Sequence, residues 1–472
     1  MTASASARRE RHGLALGPLM AGPVIYVFAQ ALVIPSISSI ARDLHISELD
    51  ATWGLTSYLI SGAVLTPIAG RLGDMFGKRR MLLWVLRLTA TGLLVNALFS
   101  GLAGLLIGRL LAGVSLATMP LAYGIIRETA PARRVAPDIA LLSASIAIGT
   151  GMGQAVAGLV VDHLGTPWLF WLPFIVTVPT LICAQLWVPE SASRQGGEID
   201  WRGAIVMAAG LLALLIAISE SSVWGWASGR TIGLLALGIV VVAIWVRLEL
   251  GTRAPLIDVR LLAVPAVWWP NLTAALMGFG MFGAFTLVPA FVEIPRAAGL
   301  GFGFSITAAG LLVVPATVTM GLGGPLSGRL VHRFGAKQPL LAGGVLGAIG
   351  FAMLGLAHSS PGPMYAGFAL LGLGMGVGYA ILPHMIVLAV PHEHTAAATA
   401  MNTIARNLGG ALGVQVCATV VAAHVSQATP FGTGSGYNVA FWVFAAAGIS
   451  GTLCAFGIPY RRAATLAPVT VA

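Results

Sequence analysis

A chain of 472 residues that is 57% hydrophobic and only 9% charged is not an ordinary soluble protein, in which roughly a quarter of residues carry charge. It reads as an all-α polytopic membrane protein. The net charge of +10 does not point to nucleic acid, because the basic residues fall in short clusters between apolar spans instead of on one basic face. Cys183, Cys417 and Cys454 lie inside apolar spans without metal-ligand spacing, and are read as small buried hydrophobes.

A membrane helix needs roughly 20 apolar residues, and fourteen such spans follow one another. They centre near Val27, Ser61, Thr91, Val114, Gly151, Thr177, Leu212, Val240, Gly280, Thr317, Gly347, Gly376, Gly410 and Ala447. The first follows Arg8, Arg9 and Arg11 and runs from about Leu14 to Ile37, longer than a signal-peptide core, with no cleavage site; it is expected to be an uncleaved helix. Basic clusters recur at Lys78 to Arg80, Arg133 and Arg134, Arg247, Arg253 and Arg260, Arg329, Arg333 and Lys337, and Arg461 and Arg462. The opposite loops hold only Arg42, Arg230 and Arg296. This asymmetry predicts that both termini are cytoplasmic, since positive loops are retained inside.

The longest polar connection, Pro189 to Trp201, breaks the chain after six spans, and two further spans precede a second polar segment, Gly251 to Arg260. The expected organisation is a six-helix bundle over 1–190, a two-helix insert with its loops over 191–262, and a second six-helix bundle over 263–472. Glycine pairs at Gly149 and Gly153, Gly324 and Gly328, Gly372 and Gly376, Gly374 and Gly378, and Gly409 and Gly413 have the spacing that allows helices to approach closely.

One charged loop is repeated. Gly70-Arg71-Leu72-Gly73-Asp74-Met75-Phe76-Gly77-Lys78-Arg79-Arg80 recurs as Gly328-Arg329-Leu330-Val331-His332-Arg333-Phe334-Gly335-Ala336-Lys337, with Pro67 and Pro325 at matching positions before it. Two copies, each after an apolar helix, indicate two related halves, as in major facilitator transporters. His332 replaces Asp74, so only the first copy offers a carboxylate to a helix N-terminus or an arginine as a breakable latch.

The run Trp53-Gly54-Leu55-Thr56-Ser57-Tyr58-Leu59-Ile60 with Gly70 to Arg80, the stretch Gly108-Arg109-Leu110-Leu111-Ala112-Gly113, and Ala405-Arg406-Asn407-Leu408-Gly409-Gly410-Ala411-Leu412-Gly413 resemble helix 2 with its following loop, helix 4 and helix 13 of the fourteen-helix drug:proton antiporters of the major facilitator superfamily, the QacA/EmrB-like branch. The resemblance implies the major facilitator fold, two six-helix bundles around a central helix pair. It associates Arg109 with proton transfer. The chain departs from that family twice: Phe28 to Pro35 in the first helix has no carboxylate where many members carry an aspartate, and Gln154 occupies the usual proline position of helix 5.

Asp74, Lys78, Arg79, Arg127 and Glu128 are the expected conformational latch. Arg109, in the fourth span, must face protein or a watery cavity. Without a first-helix acid, Glu220, Glu293 and His384 join it as proton-coupling candidates, whereas Arg87 is read as snorkelling to the surface. Candidates for the substrate cavity are the polar and aromatic residues Tyr26, Gln30, Tyr58, Asn96, Tyr123, Gln154, Asn271 and Tyr379. Trp84, Trp168, Trp187 and Trp268 are read as interface anchors.

The expected function is secondary active transport by alternating access: proton-coupled efflux of amphipathic organic compounds from a cell whose inner membrane holds the protein as a monomer. The alternatives are transport of a neutral or anionic metabolite, and a non-transporting membrane sensor on the same fold. No cofactor and no catalysis are expected, because no P-loop, metal-ligand cluster or activated serine is present. His392-Glu393-His394 lacks the helical spacing of a zinc site.

Overall fold

Backbone groups in hydrocarbon must be satisfied within the chain, and long apolar runs achieve this as helices. The computed structural model describes residues 2–190, 200–252, 259–296, 300–356, 360–391, 394–424 and 434–459. Ser191 to Glu198, Arg253, His392, Glu393, Arg461 and Arg462 lie outside the described residues, as do the side chains of Arg8, Arg9 and Arg11. In chain order the first six long helices are α1 (Thr2–Val33), α2 (Glu48–Phe76), α3 (Lys78–Leu98), α4 (Leu102–Thr129), α5 (Ala132–Leu164) and α6 (Trp168–Trp187). Then come α7 (Trp201–Trp224) and α8 (Gly229–Gly251). The last six are α9 (Pro265–Glu293), α10 (Ile306–Phe334), α11 (Lys337–Leu356), α12 (Pro361–Ala389), α13 (Thr395–Ala422) and α14 (Gly434–Phe456).

Among the described residues thirteen helices are long and apolar enough to cross a membrane. The remaining long helix, α2, has 29 residues, but Thr52, Thr56, Ser57, Tyr58, Ser61 and Thr66 dilute its hydropathy. Helix starts are built from side-chain caps. Ser47, Asp200, Ser228 and Ser305 each accept a backbone N–H from the first turn of α2, α7, α8 and α10. The repeated loops share one backbone device. Gly77 and Gly335 stop α2 and α10 with φ of 108° and 77°, a region open to glycine.

The fourth span is not one regular helix. A 3₁₀ turn over Val114–Ala117 interrupts α4 in the buried interior. Ser115 and Thr118 donate their hydroxyls to the carbonyls of Ala112 and Ser115 three residues back, a local competitor to regular helix bonding.

Small residues set the packing. Gly409 and Gly413 place α13 against the carbonyls of Ala275 and Phe279 in α9, and Gly372 and Gly376 place α12 against Ala316 and Met320 in α10. Gly149 and Gly153 serve α5 against α1 in the same way. Gly328, by contrast, has open space where a Cβ would point. Ala204, Met207 and Leu211 of α7 and Trp245 of α8 pack with Ile60 and Val64 of α2 and Ile404 of α13, so α7 covers a seam between α2 and α13. Trp84, Trp168, Trp187 and Trp268 are exposed on the outside. So is Arg87, lying 5.3 Å over the Trp84 ring.

Candidate functional site

The first loop copy is a buried charge cluster. Because Gly77 turns α2 directly into α3, Lys78 stands opposite Asp74 with its Nζ 2.9 Å from Asp74 Oδ1 and 2.6 Å from Glu128 Oε1. Asp74 and Lys78 are buried. A Cβ at Gly124 would lie 2.6 Å from Lys78 Cδ and Cε, so the absence of a side chain in α4 makes the groove that the lysine occupies.

Two residues, Asp74 and Arg127, carry this cluster across to the last six helices. The backbone N–H of Ala397, in the first turn of α13, donates to Asp74 Oδ2 at 3.3 Å, where the helix dipole favours an anion. Arg127 donates to Thr395 Oγ1 at 2.5 Å, to the Val390 carbonyl at 2.9 Å and to the Pro391 carbonyl at 3.3 Å. Arg79 stands apart from this set. It reaches the end of α6, at the Gln185 carbonyl 2.6 Å away and Glu190 Oε2 3.5 Å away. The second copy forms nothing comparable: His332 and Arg333 are exposed, and Lys337 donates to the Phe456 carbonyl at 2.6 Å within the same bundle.

Between the bundles lies a cavity of about 60 Å³, room for a few waters at roughly 10–15 Å³ each. Of the residues expected there, Tyr26, Gln30, Gln154 and Tyr379 line it. The other four are engaged elsewhere. Tyr58 stacks behind Tyr26 at 5.2 Å and donates to its carbonyl at 2.8 Å. Asn96 donates to the Gly104 and Leu105 carbonyls, Tyr123 pairs with Ser143, and Asn271 accepts from Asn402.

The structure adds Arg406 and Asn407 of α13, together with Met119, Thr150, Met281 and Phe285, to the cavity wall. Arg406 and Asn407 stand in the sequence as part of a glycine-rich packing stretch. The usable signal was an ionisable side chain in mid-span, which marks a functional site by default.

Arg109 is fully buried beside this region. It lies 3.9 Å over the Tyr58 ring and donates to the carbonyls of Gly54 at 3.0 Å and Ala29 at 3.2 Å, tying α4 to α2 and α1. Glu220 and Glu293 are half-buried at the ends of α7 and α9, and His384 is half-buried in α12. None of the three lines the cavity.

A polytopic helical protein with a cavity between two bundles, closed at one end by interlocking loops, is the architecture of a membrane transporter. The family model of the Major Facilitator Superfamily matches residues 19–301 and 272–471, and the chain belongs to that superfamily. Among its relatives, the tetracenomycin C resistance and export protein of Streptomyces glaucescens is 28% identical over 90% of this chain and 79% of its own. The multidrug transporter protein MdtP of Bacillus subtilis is 26% identical over 86% of this chain and 75% of its own. An MFS-type transporter of Mycobacterium tuberculosis is 29% identical over 85% of this chain, which spans 58% of that relative's length. Two solved structures share the fold at 16% identity and a TM-score of 0.67. They are the proton:xylose symporter XylE, matched over 96% of this chain and 97% of its own, and the human organic anion transporter MFSD10, over 94% and 99%. The chain is therefore a member of a superfamily of membrane transporters, with multidrug and antibiotic export proteins among its homologues.

Proposed function

We propose that the chain exports amphipathic organic compounds by alternating access, coupled to protons. In this reading it works as a monomer in the cell inner membrane with both termini cytoplasmic. Fourteen spanning helices would be arranged as two six-helix halves, 1–190 and 263–472, around the α7–α8 insert. The observation that carries the reading is the pair of cross-links at one end of the cavity. Met119 lines the cavity, and Arg127 follows eight residues later in α4, about 12 Å along the helix axis. Asp74 and Arg127 bind acceptors and donors of the α12–α13 corner there, on the side where the basic loops cluster. Hydrogen bonds of this kind open without disturbing either bundle, because each half keeps its own helix packing. The Lys78 pair with Asp74 and Glu128 then holds the carboxylate in place within the first half.

Proton coupling is assigned to Arg109 with Glu220, Glu293 and His384. Arg109 braces α1, α2 and α4 against one another, so that the first half moves as a unit in this scheme.

The test is proton movement in inside-out vesicles energised to an acidic interior, on adding a lipophilic cation, a neutral amphiphile or an organic anion. Proton release on adding any of them, abolished by Arg109→Ala, is the expected result. Silence with all three compounds overturns export of amphipathic molecules by proton exchange.

A further inference from the structure

Among the described residues the cavity wall has one charged group, a cation, and no carboxylate of the wall balances it. Arg406 lies mid-way along α13 and is only 2% exposed. Its guanidinium sits 4.1 Å over the Tyr379 ring, and its Nη2 meets the Met119 sulfur at 3.5 Å, a weak acceptor. Nε and Nη1 are buried with no hydrogen-bond partner. Among the described residues Arg406 makes no ion pair, and no Asp or Glu lines the cavity. Burying a charge inside a membrane protein without an opposite charge is costly, and such residues are retained at substrate and ion pathways.

The surroundings indicate what completes the arginine. The amide nitrogen of Asn407 and the hydroxyl of Tyr26 are also buried without partners and line the same cavity. Arginine presents its N–H groups as a planar fork that matches two oxygens of a carboxylate. The rest of the wall is mainly apolar and aromatic, with Met281, Phe282 and Phe285 of α9, and its remaining polar residues, Gln30, Thr150, Gln154 and Thr286, are uncharged. A cation placed here meets like charge and finds no acid to pair with. A neutral molecule leaves the arginine uncompensated.

We infer that Arg406 is the docking point for an acidic group, and that the transported compounds are amphipathic organic anions. Each carries a carboxylate, or an ionised phenol or enol, on an apolar body that packs against the α9 aromatics. This inference rests on the export reading and narrows its substrate class. At about 60 Å³ the cavity does not hold such a molecule as it stands, so binding accompanies parting of the bundles.

The experiment uses three fluorescent probes with one apolar body: anthracene carboxylate, hydroxymethyl anthracene and aminomethyl anthracene. Each is titrated against the full chain in lipid nanodiscs, for wild type, Arg406→Gln and Arg406→Lys. The expected result is that the wild type binds the carboxylate at least about ten-fold more tightly than the other two. Arg406→Gln should abolish that preference, and Arg406→Lys should keep it in weakened form. Equal binding of all three probes by wild type, preference for the amine, or no binding of the carboxylate overturns the inference. So does an equal loss of all three in Arg406→Gln with Arg406→Lys behaving like it, which makes the arginine a packing residue. If Arg406→Gln does not fold, the Arg406→Lys comparison with wild type decides. Efflux of the same probes from proteoliposomes is read separately. Carboxylate binding without efflux sinks the export reading and leaves the site standing.

Discussion

The two bundles repeat one design and use it differently. Each carries the glycine-turn loop, and each buries an arginine on a tyrosine ring, at 3.9 Å for Arg109 and 4.1 Å for Arg406. In the first bundle both features are tied into the protein: Asp74 is held by Lys78 and by the N–H of Ala397, and Arg109 donates to two backbone carbonyls. In the last six helices the loop copy is exposed, and Arg406 keeps two nitrogens without a protein acceptor. Repetition therefore preserved the backbone geometry while the chemistry diverged; in the proposed scheme the first copy supplies a gate and a brace and the second half a charge that faces the ligand.

The largest effects separate the two arginines. Arg109→Met removes the bonds that tie α4 to the Gly54 and Ala29 carbonyls, and is expected to destabilise the protein by about 2–4 kcal/mol. Arg406→Met removes a buried charge that has no counter-charge, and is expected to leave stability unchanged or raised by about 1–4 kcal/mol, while abolishing transport. Thermal unfolding of the purified variants, beside an efflux assay, reads both. If Arg406→Met were the more destabilising of the two, Arg406 would be a structural residue and the contrast would fail.

The loop copies offer the next contrast. Asp74→Asn keeps the size of the side chain but weakens a charge-assisted bond to Ala397 and leaves Lys78 facing Glu128 alone. The expected loss of transport rate is about ten-fold, with expression and membrane insertion intact. His332→Asn, at the equivalent exposed position, is expected to transport like wild type. Equal effects at both positions would mean that the loops act through charge in general and not through the bond across the bundles.

Much of this architecture was legible in the sequence because it rests on strong local signals. Apolar runs bounded by charge and the repeated loop correspond directly to helices and the Gly77 and Gly335 turns, and the glycine pairs to close crossings, except at Gly328, which faces open space. The break in α4 was not legible, since it depends on the Ser115 and Thr118 hydroxyls folding back on their own backbone. Membership of the cavity wall was half legible. Tyr26 and Tyr58 look alike in sequence, yet the stack between them puts only Tyr26 against the cavity. Asn96 donates to the nearby Gly104 carbonyl and Asn271 accepts from Asn402 of α13, so neither is left for the cavity. Arg79 looked interchangeable with Lys78 as a latch cation, but one residue of helix rotation turns it toward α6 instead of Asp74. Arg406 was obscured by its glycine-rich neighbours, which have a packing role of their own against α9.

The smallest expected effect concerns the glycines that open each loop. A Cβ added at Gly70 would lie 3.2 Å from the Ala396 carbonyl oxygen, across the interface that closes the gate, whereas at Gly328 it would meet nothing within 4 Å. Both positions are helical, so alanine brings each a favourable propensity of about 0.5–1 kcal/mol. At Gly328 that gain is unopposed, and Gly328→Ala should leave transport unchanged with a slightly higher melting temperature. At Gly70 the same gain is set against a contact that forces α13 outward by a few tenths of an ångström. In the proposed scheme the contact exists only while the gate is closed, so Gly70→Ala should shift the population toward the open gate without unfolding the bundle. Faster labelling of a cysteine placed at Ala396 than in the wild-type background would register that shift, with the Gly328→Ala background as the reference. Equal labelling in both backgrounds would mean that the α2–α13 contact is not part of the gate.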